Sequence, residues 1–312
     1  MKNHRTSRFF LYMIAIIGII TYDIYSQDLA NFSASFVDIG FGARPLGMGQ
    51  AYTALTADAN GVLWNPAGIS EVERFEGTFC HTKLFNIVPY SFASLVYSFS
   101  PRLSLGEGVI ISGDDLLREL SIISCLATSF YVHGYKLNLG LNLNLHSASY
   151  GKNDDSHSNV HGDAFGYSLG FGLQLYLTEK IIFASNFKNI INRISWNSST
   201  MGKYDEGLPG RLIFGVGFKN FNQLNFALDF HKSLYREIED KFFLGAEYIF
   251  FDKLFLRSGT GTSINQSQPL FYSVGFGLSH QFNPRFRFQL DGAYIIDPLA
   301  NMIRLSILVG MK

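Results

Sequence analysis

The sequence predicts an all-β fold: a transmembrane antiparallel β-barrel of about 14 strands with an N-terminal plug, or hatch, segment. Three observations predict it. The first is strict period-2 hydrophobicity. In KLNLGLNLNLH, Leu137, Leu139, Leu141, Leu143 and Leu145 share one face, while Asn138, Gly140, Asn142 and Asn144 share the other. AFGYSLGFGLQLYL repeats the pattern with Phe165 to Leu175 against Gly166, Ser168, Gly170, Gly172 and Gln174. A face of Gly, Ser and Asn suits a confined polar lumen, whereas a solvated sheet face carries Lys, Glu and Thr. The second is composition: 47% hydrophobic and 15% aromatic residues with only 16% charged, against about 25% charged in soluble domains. The third is the connections, which alternate between tight turns and longer links, as in barrels with short periplasmic turns and long outer loops.

In chain order, Lys2, Arg5 and Arg8 precede an apolar run from Phe9 to Ile20 and small or polar residues to Gln27. This reads as a signal peptide over residues 1–26. Residues 27–74 do not alternate and form the expected hatch. Residues 75–312 form the barrel, with strands expected to start near Phe75, Tyr90, Arg102, Ser121, Tyr135, Asp163, Lys180, Leu208, Asn222, Asp240, Lys253, Leu270, Arg285 and Met302. Tight turns fall at Ser100-Pro101, His133-Gly134, Thr178-Glu179, Asn220 to Asn222, Phe251-Asp252 and Asn283-Pro284; long links include Ala148 to Gly162 and Ile191 to Gly207. Aromatic residues band at both ends, Tyr97, Phe99, Tyr131, Tyr176, Phe218, Tyr248, Phe250, Phe282 and Phe286 beside the turns, and Phe85, Tyr90, Phe165, Phe230, Phe242, Phe271 and Tyr294 opposite. Zero net charge, from 25 basic and 25 acidic residues, argues against a nucleic-acid partner. Cys80 and Cys125 lie in separate strands and are expected to stay free.

Within the hatch, the run from Gly40 to Ile69 contains GARPLGMGQA, TADAN and LWNPAGI. These segments resemble the N-terminal signature of FadL-like outer-membrane proteins, and more closely that of their PorV/PorQ-type branch. The resemblance implies a hatch inside a fourteen-stranded barrel, with Trp64, Asn65, Pro66, Ala67 and Gly68 as hatch residues and Gly47, Gly49 and Asp58 helping to fold it. It also implies residence in the outer membrane of a Gram-negative-type bacterium. Two roles follow from it: passive uptake of small hydrophobic molecules, or a scaffold for protein secretion of type IX or surface attachment, with secretion-system proteins as partners. FadL itself carries long-chain fatty acids.

Phasing the late strands by their apolar faces puts Asp229, Glu247, Arg257, Arg287, Asp291 and Arg304 inside the barrel. Three acids and three bases read either as a structural network that docks the hatch or as a ligand path, with Arg257 or Arg287 as a fork for a carboxylate. Gly106-Glu107-Gly108 interrupts the third strand, and a charge phased with Leu103 and Leu105 is not expected to face lipid. It reads as a local bulge or, by the resemblance, as a lateral opening of the wall. No catalytic, cofactor or metal site is expected. Gly166-Tyr167-Ser168-Leu169-Gly170 matches Gly-x-Ser-x-Gly but lies inside an alternating strand, where no nucleophile elbow forms.

Overall fold

The computed structural model describes residues 40–84, 88–114, 116–151, 160–235, 238–264, 270–296 and 301–311. The expected signal peptide, residues 27–39 of the hatch and Phe85 lie outside them. Alternating hydrophobicity becomes strands throughout the second part of the chain. The first seven are β1 (Phe75–Leu84), β2 (Val88–Ser100), β3 (Leu103–Gly113), β4 (Leu117–Val132), β5 (Tyr135–Tyr150), β6 (Gly162–Tyr176) and β7 (Ile181–Ser198). A short β8 (Gly202–Glu206) is followed by β9 (Arg211–Phe221), β10 (Leu224–Ser233), β11 (Lys241–Phe250) and β12 (Leu254–Ser263). The chain ends with β13 (Phe271–Asn283), β14 (Phe286–Ile296) and β15 (Met302–Met311).

Neighbouring strands pair antiparallel, β1 pairs with β15, and β7 pairs with both β6 and β9. The sheet therefore closes into a 14-strand barrel, with β8 as one extra strand zipped onto the far end of β7. Closure leaves no unpaired ladder at membrane depth. The link expected over Ile191 to Gly207 is thus largely strand. NRISWNS and GKYDE form a hairpin with Ile194, Trp196 and Leu208 buried on one face and Arg193 and Ser195 on the other.

Tight turns and both barrel termini share one end, here the turn end; the longer links share the loop end. In the β3–β4 link, the Asp114 carboxylate accepts from the backbone N–H groups of Leu117 and Leu116, which holds it below its usual range. The outer surface is an apolar band: Leu141, Leu143 and Leu145, Phe226 and Leu228, Leu244, Val274 and Phe276, and Leu305 and Ile307 are all exposed. Tyr97, Phe99, Tyr131, Phe218 and Phe282 ring the turn end as expected. Three girdle assignments are corrected. Tyr90, Tyr176 and Phe271 point inward, where residues 40–74 supply apolar partners.

Strand length differs around the ring. β4 to β7 have 15 to 18 residues, whereas β9 to β12 have 10 or 11. At about 3.3 Å per residue and a tilt near 40°, the long strands rise to roughly 40 Å and the short ones to roughly 25 Å, the height of an outer-membrane apolar band. The wall from β4 to β7 therefore stands above the rest at the loop end.

Candidate functional site

Residues 40–74 fold inside the barrel as three short turns. α1 (Ala43–Gly47) leads into a left-handed Gly49, and α2 (Gly61–Trp64) leads into a 3₁₀ turn (Pro66–Glu71). The second junction is a side-chain cap. Asn65 Oδ1 accepts from the Ala67 N–H, and Pro66 starts the 3₁₀ turn, where its missing N–H costs nothing. Asp58 accepts from the Asn60 N–H and Nδ2, the Tyr52 hydroxyl and Arg44 Nη1. Trp64 Nε1 donates to Phe41 O at 2.8 Å. These bonds satisfy an irregular backbone that could not face lipid.

The late strands hold the segment by charge. Arg44 forks onto Glu247, with Nη2 at 2.9 Å from Oε1 and Nε at 3.1 Å from Oε2. Arg257 donates to Glu247 Oε2 at 2.7 Å and to Asp291 Oδ1 at 2.6 Å. Asp229 accepts from the backbone N–H groups of Tyr52 and Thr53 at 3.0 and 2.9 Å. Ser273 Oγ accepts from Gly49 N–H and donates to Gly47 O, and Ser306 Oγ accepts from Ala43 N–H. The six charged residues expected inside the barrel lie there, and five of them are buried. Arg287 is the exception, near the turn-end rim, and it pairs with Glu76 at 2.7 Å rather than with Asp291. Arg304 donates to Thr82 Oγ1. Sequence reasoning missed Arg44 and Glu76. Glu76 also accepts from Ala59 N–H at 2.7 Å, and its place among the inward alternating positions of β1 was the available signal.

The opposite wall holds the segment with amides and, at the turn end, with the Lys136–Glu71 ion pair at 2.6 Å. Gln174 Nε2 donates to Thr56 O at 2.7 Å, Asn186 Nδ2 to Trp64 O at 2.6 Å, and Asn138 Nδ2 to Glu71 Oε1 at 2.6 Å. Asn65 Nδ2 donates to Thr53 O at 3.0 Å. Gly140 and Gly172 are cross-strand partners. A side chain at either would run into Pro66, Asn65 or Ala67, so this bare patch of wall is the seat of the Asn-Pro-Ala turn.

The same logic corrects the reading of Gly106-Glu107-Gly108. β3 stays in continuous register with both β2 and β4 through these residues, without a bulge. A Cβ at Gly106 or Gly108 would lie 2.8 or 2.7 Å from a Val62 methyl, so the glycines make room for the hatch. Glu107 points outward. Apart from one-residue shifts beside turns, the break in register lies in β7. Between the pairs Leu169↔Ile191 and Phe171↔Phe187, Gly170 alone faces Lys188, Asn189 and Ile190, with Asn189 in the left-handed region.

Beside that bulge, toward the loop end, lies a cavity of about 80 Å³. Phe41, Val62 and Leu63 line it from the hatch, Tyr90, Ile110 and Ile123 from one side, and Asn142, Asn144, His146, Lys188 and Asn189 from the other. Its polar groups largely bond one another: Ser112 donates to Glu119, Asn144 Nδ2 donates to Ser168 Oγ, and His146 bridges Ser121 and Ser168. Asn142 Oδ1 has no hydrogen-bond partner among the described residues. That oxygen is buried against Gly170, so what the site presents is mainly an apolar surface able to surround a small apolar body.

No protein-family model matches the chain, and no curated protein sequence does. Solved structures match it over most of its length. The chain is similar to the CymD monoaromatic hydrocarbon channel, with a TM-score of 0.61 and 16% identity over 88% of this chain and 97% of that one. It is similar to the Pseudomonas putida toluene transporter TodX, with a TM-score of 0.55 and 13% identity over 86% of this chain and 97% of that one. A FadL homologue from Pseudomonas aeruginosa gives a TM-score of 0.55 and 10% identity over 87% of this chain and 98% of that one. At these identities the likeness is one of fold, and the fold of this chain is that of a FadL-like barrel.

Proposed function

We propose that this barrel resides in a bacterial outer membrane and admits small hydrophobic molecules passively, with residues 40–74 as the hatch that blocks the lumen at rest. It acts as a channel and not as an enzyme. The observation that carries the reading is the cavity between hatch and wall, with its apolar lining from Phe41, Val62, Leu63, Ile110 and Ile123. The barrel likeness to hydrocarbon channels supports it. A solute would enter from the loop end, rest against the hatch and pass when the hatch yields.

At about 80 Å³ the cavity is smaller than the roughly 150 Å³ that accommodates benzene in a protein core. The resting state is therefore closed, and conduction needs side chains to move. The wall is least regular at the β7 bulge, so a sideways exit would use Lys188 to Ile190 in preference to Gly106–Gly108. Nothing in the geometry favours the secretion scaffold of the PorV/PorQ-type expectation.

The test is permeability. Asn65→Ala, which removes the cap and the bond to Thr53 O, and deletion of residues 61–68 should raise uptake of a hydrophobic dye into liposomes while the barrel stays folded in cold SDS. Unaltered permeability in a correctly folded deletion, with loss of a co-purifying protein, would replace the channel by the scaffold.

A further inference from the structure

Leu63 stands where the apolar parts of the interior meet. Its neighbours in α2, Gly61, Val62 and Trp64, are buried, and Leu63 is partly exposed. Its side chain packs against three separate clusters of buried apolar residues. One, made of Phe41, Cys80 and Phe92 with Tyr90 and Ile110 at its margin, borders the cavity at the loop end. A second includes Val72, Val96 and Ala127 and runs toward the turn end beside β2 and β4. The third includes Leu55, Ile182 and Ala184, with Tyr176 packed on it, and runs toward the turn end beside β6 and β7. Among the described residues, Leu63 is the one that packs against all three.

The other hatch groups that line the cavity are held in place. Val62 fills the space left by Gly106 and Gly108, and its carbonyl accepts from Cys125 Sγ. Phe41 packs on the rings of Tyr90 and Phe92, at 6.1 and 5.5 Å between centroids, and its carbonyl accepts from Trp64 Nε1. The Leu63 side chain is held by van der Waals contact alone, and the cavity interrupts that contact on one side. A change of rotamer therefore meets less resistance at Leu63 than at either neighbour.

We infer that Leu63 is the side-chain gate and size filter of the channel, an inference that rests on the uptake role proposed above. At rest it closes the loop-end cavity off from the apolar surfaces that lead toward the turn end. A solute that pushes it aside gains a continuous apolar route along the hatch, so the first movement that passage requires is that of one side chain. The bulk of Leu63 also sets which solutes pass. The cavity of about 80 Å³ is too small for one aromatic ring, whereas an engineered core cavity of about 150 Å³ binds benzene. A single ring fits once Leu63 moves aside, and a fused pair of rings needs Leu63 cut back.

The test is uptake of radiolabelled benzene and naphthalene by host cells carrying the protein, each rate taken relative to cells without it. Wild type should favour benzene. Leu63→Ala should raise the naphthalene rate about tenfold and hold the benzene rate within about threefold, since discrimination by an apolar pocket follows the room it offers. Leu63→Trp should lower both rates about tenfold by the same argument. Ile69→Ala is the comparison, because it truncates a buried hatch side chain that does not line the cavity. A hatch that is merely loosened passes both probes faster and leaves their ratio unmoved. A ratio that shifts equally in Leu63→Ala and Ile69→Ala, or in neither, would overturn the gate and leave the channel standing. No uptake of either probe by folded wild type would end the channel reading and the gate with it. If Leu63→Ala loses its folded mobility in cold SDS, Leu63→Val decides: a ratio shifted toward naphthalene by about threefold supports the gate, and an unmoved ratio overturns it.

Discussion

The inner wall of the barrel has two halves that hold the same segment by different means. From β10 to β15 the inward positions carry Asp229, Glu247, Arg257, Asp291 and Arg304, and charge-assisted bonds fasten α1 and the turn after it. From β4 to β7 the inward positions carry mostly neutral groups, Ser121, Asn138, Asn144, His146, Ser168, Gln174 and Asn186, beside Glu119 and Lys136; amides of Gln174 and Asn186 hold backbone carbonyls of the segment, and Lys136 pairs with Glu71 at 2.6 Å. The charged half lies against the hatch. The amide half leaves it at the loop end, and the cavity opens there. A cluster of charges fastens the start of the segment on one side; on the other, the Lys136–Glu71 ion pair lies at the turn end, away from the cavity. On the proposed function, the difference gives anchoring to one wall and passage to the other.

The contrast breaks most directly at Arg257. Replacing it with Met should leave Glu247 and Asp291 buried without their shared partner, at a cost of about 3–5 kcal/mol. The loss should be read from the unfolding midpoint in detergent. Glu247→Gln combined with Arg257→Met should cost less than the two singles added, because the charges are lost together. Additive costs would mean that the network contributes no coupling.

The next largest effect separates the two faces of one strand. Leu141→Arg, outward on β5, should destabilise by about 2–4 kcal/mol, and Asn142→Arg, inward beside the cavity, by less. Equal costs would place both side chains in the same surroundings.

Gly172→Ala adds a methyl where the hatch turn rests, and overpacking of this kind costs about 1–3 kcal/mol. If the hatch yields during passage as proposed, dye uptake should rise in the same variant. The mildest change sharpens the comparison further. Asn142→Leu adds apolar bulk at the cavity wall. It should lower uptake while stability shifts by no more than about 0.5 kcal/mol. A matching substitution on the charged wall should do the reverse, costing stability with little change in the resting leak.

The alternation that defines the barrel was legible because period 2 is local: each strand carries its own signal. Thirteen of the expected strand starts lie within three residues of those observed, and Ser121 lies four residues after Leu117. What was not legible depends on ring closure. Arg287 and Asp291 were grouped by sequence, yet four residues along a strand span roughly 13 Å, too far for a pair. Arg287 instead meets Glu76, two strands away across β15. The inner glycines were read as lumen polarity or as a bulge, because no local pattern tells an open channel from a seat for another segment. The β7 bulge did leave a mark. In KNIIN, Ile190 and Ile191 are adjacent and both exposed, a break in alternation that was taken for the start of a loop.

The backbone N–H of Ala43 binds Ser306, 263 residues later. The hatch is therefore synthesised long before the strands that receive it, and it binds strands from both ends of the barrel sequence: Ser94 on β2 donates to Ala59 O, and Ser273 and Ser306 serve Gly49 and Ala43. Slipping any of these strands by one residue would turn its serine or carboxylate outward. A barrel closed out of register would leave hatch amides without acceptors and so be the less stable product. In the closed barrel the hatch contacts are therefore tied to one strand register around the whole ring.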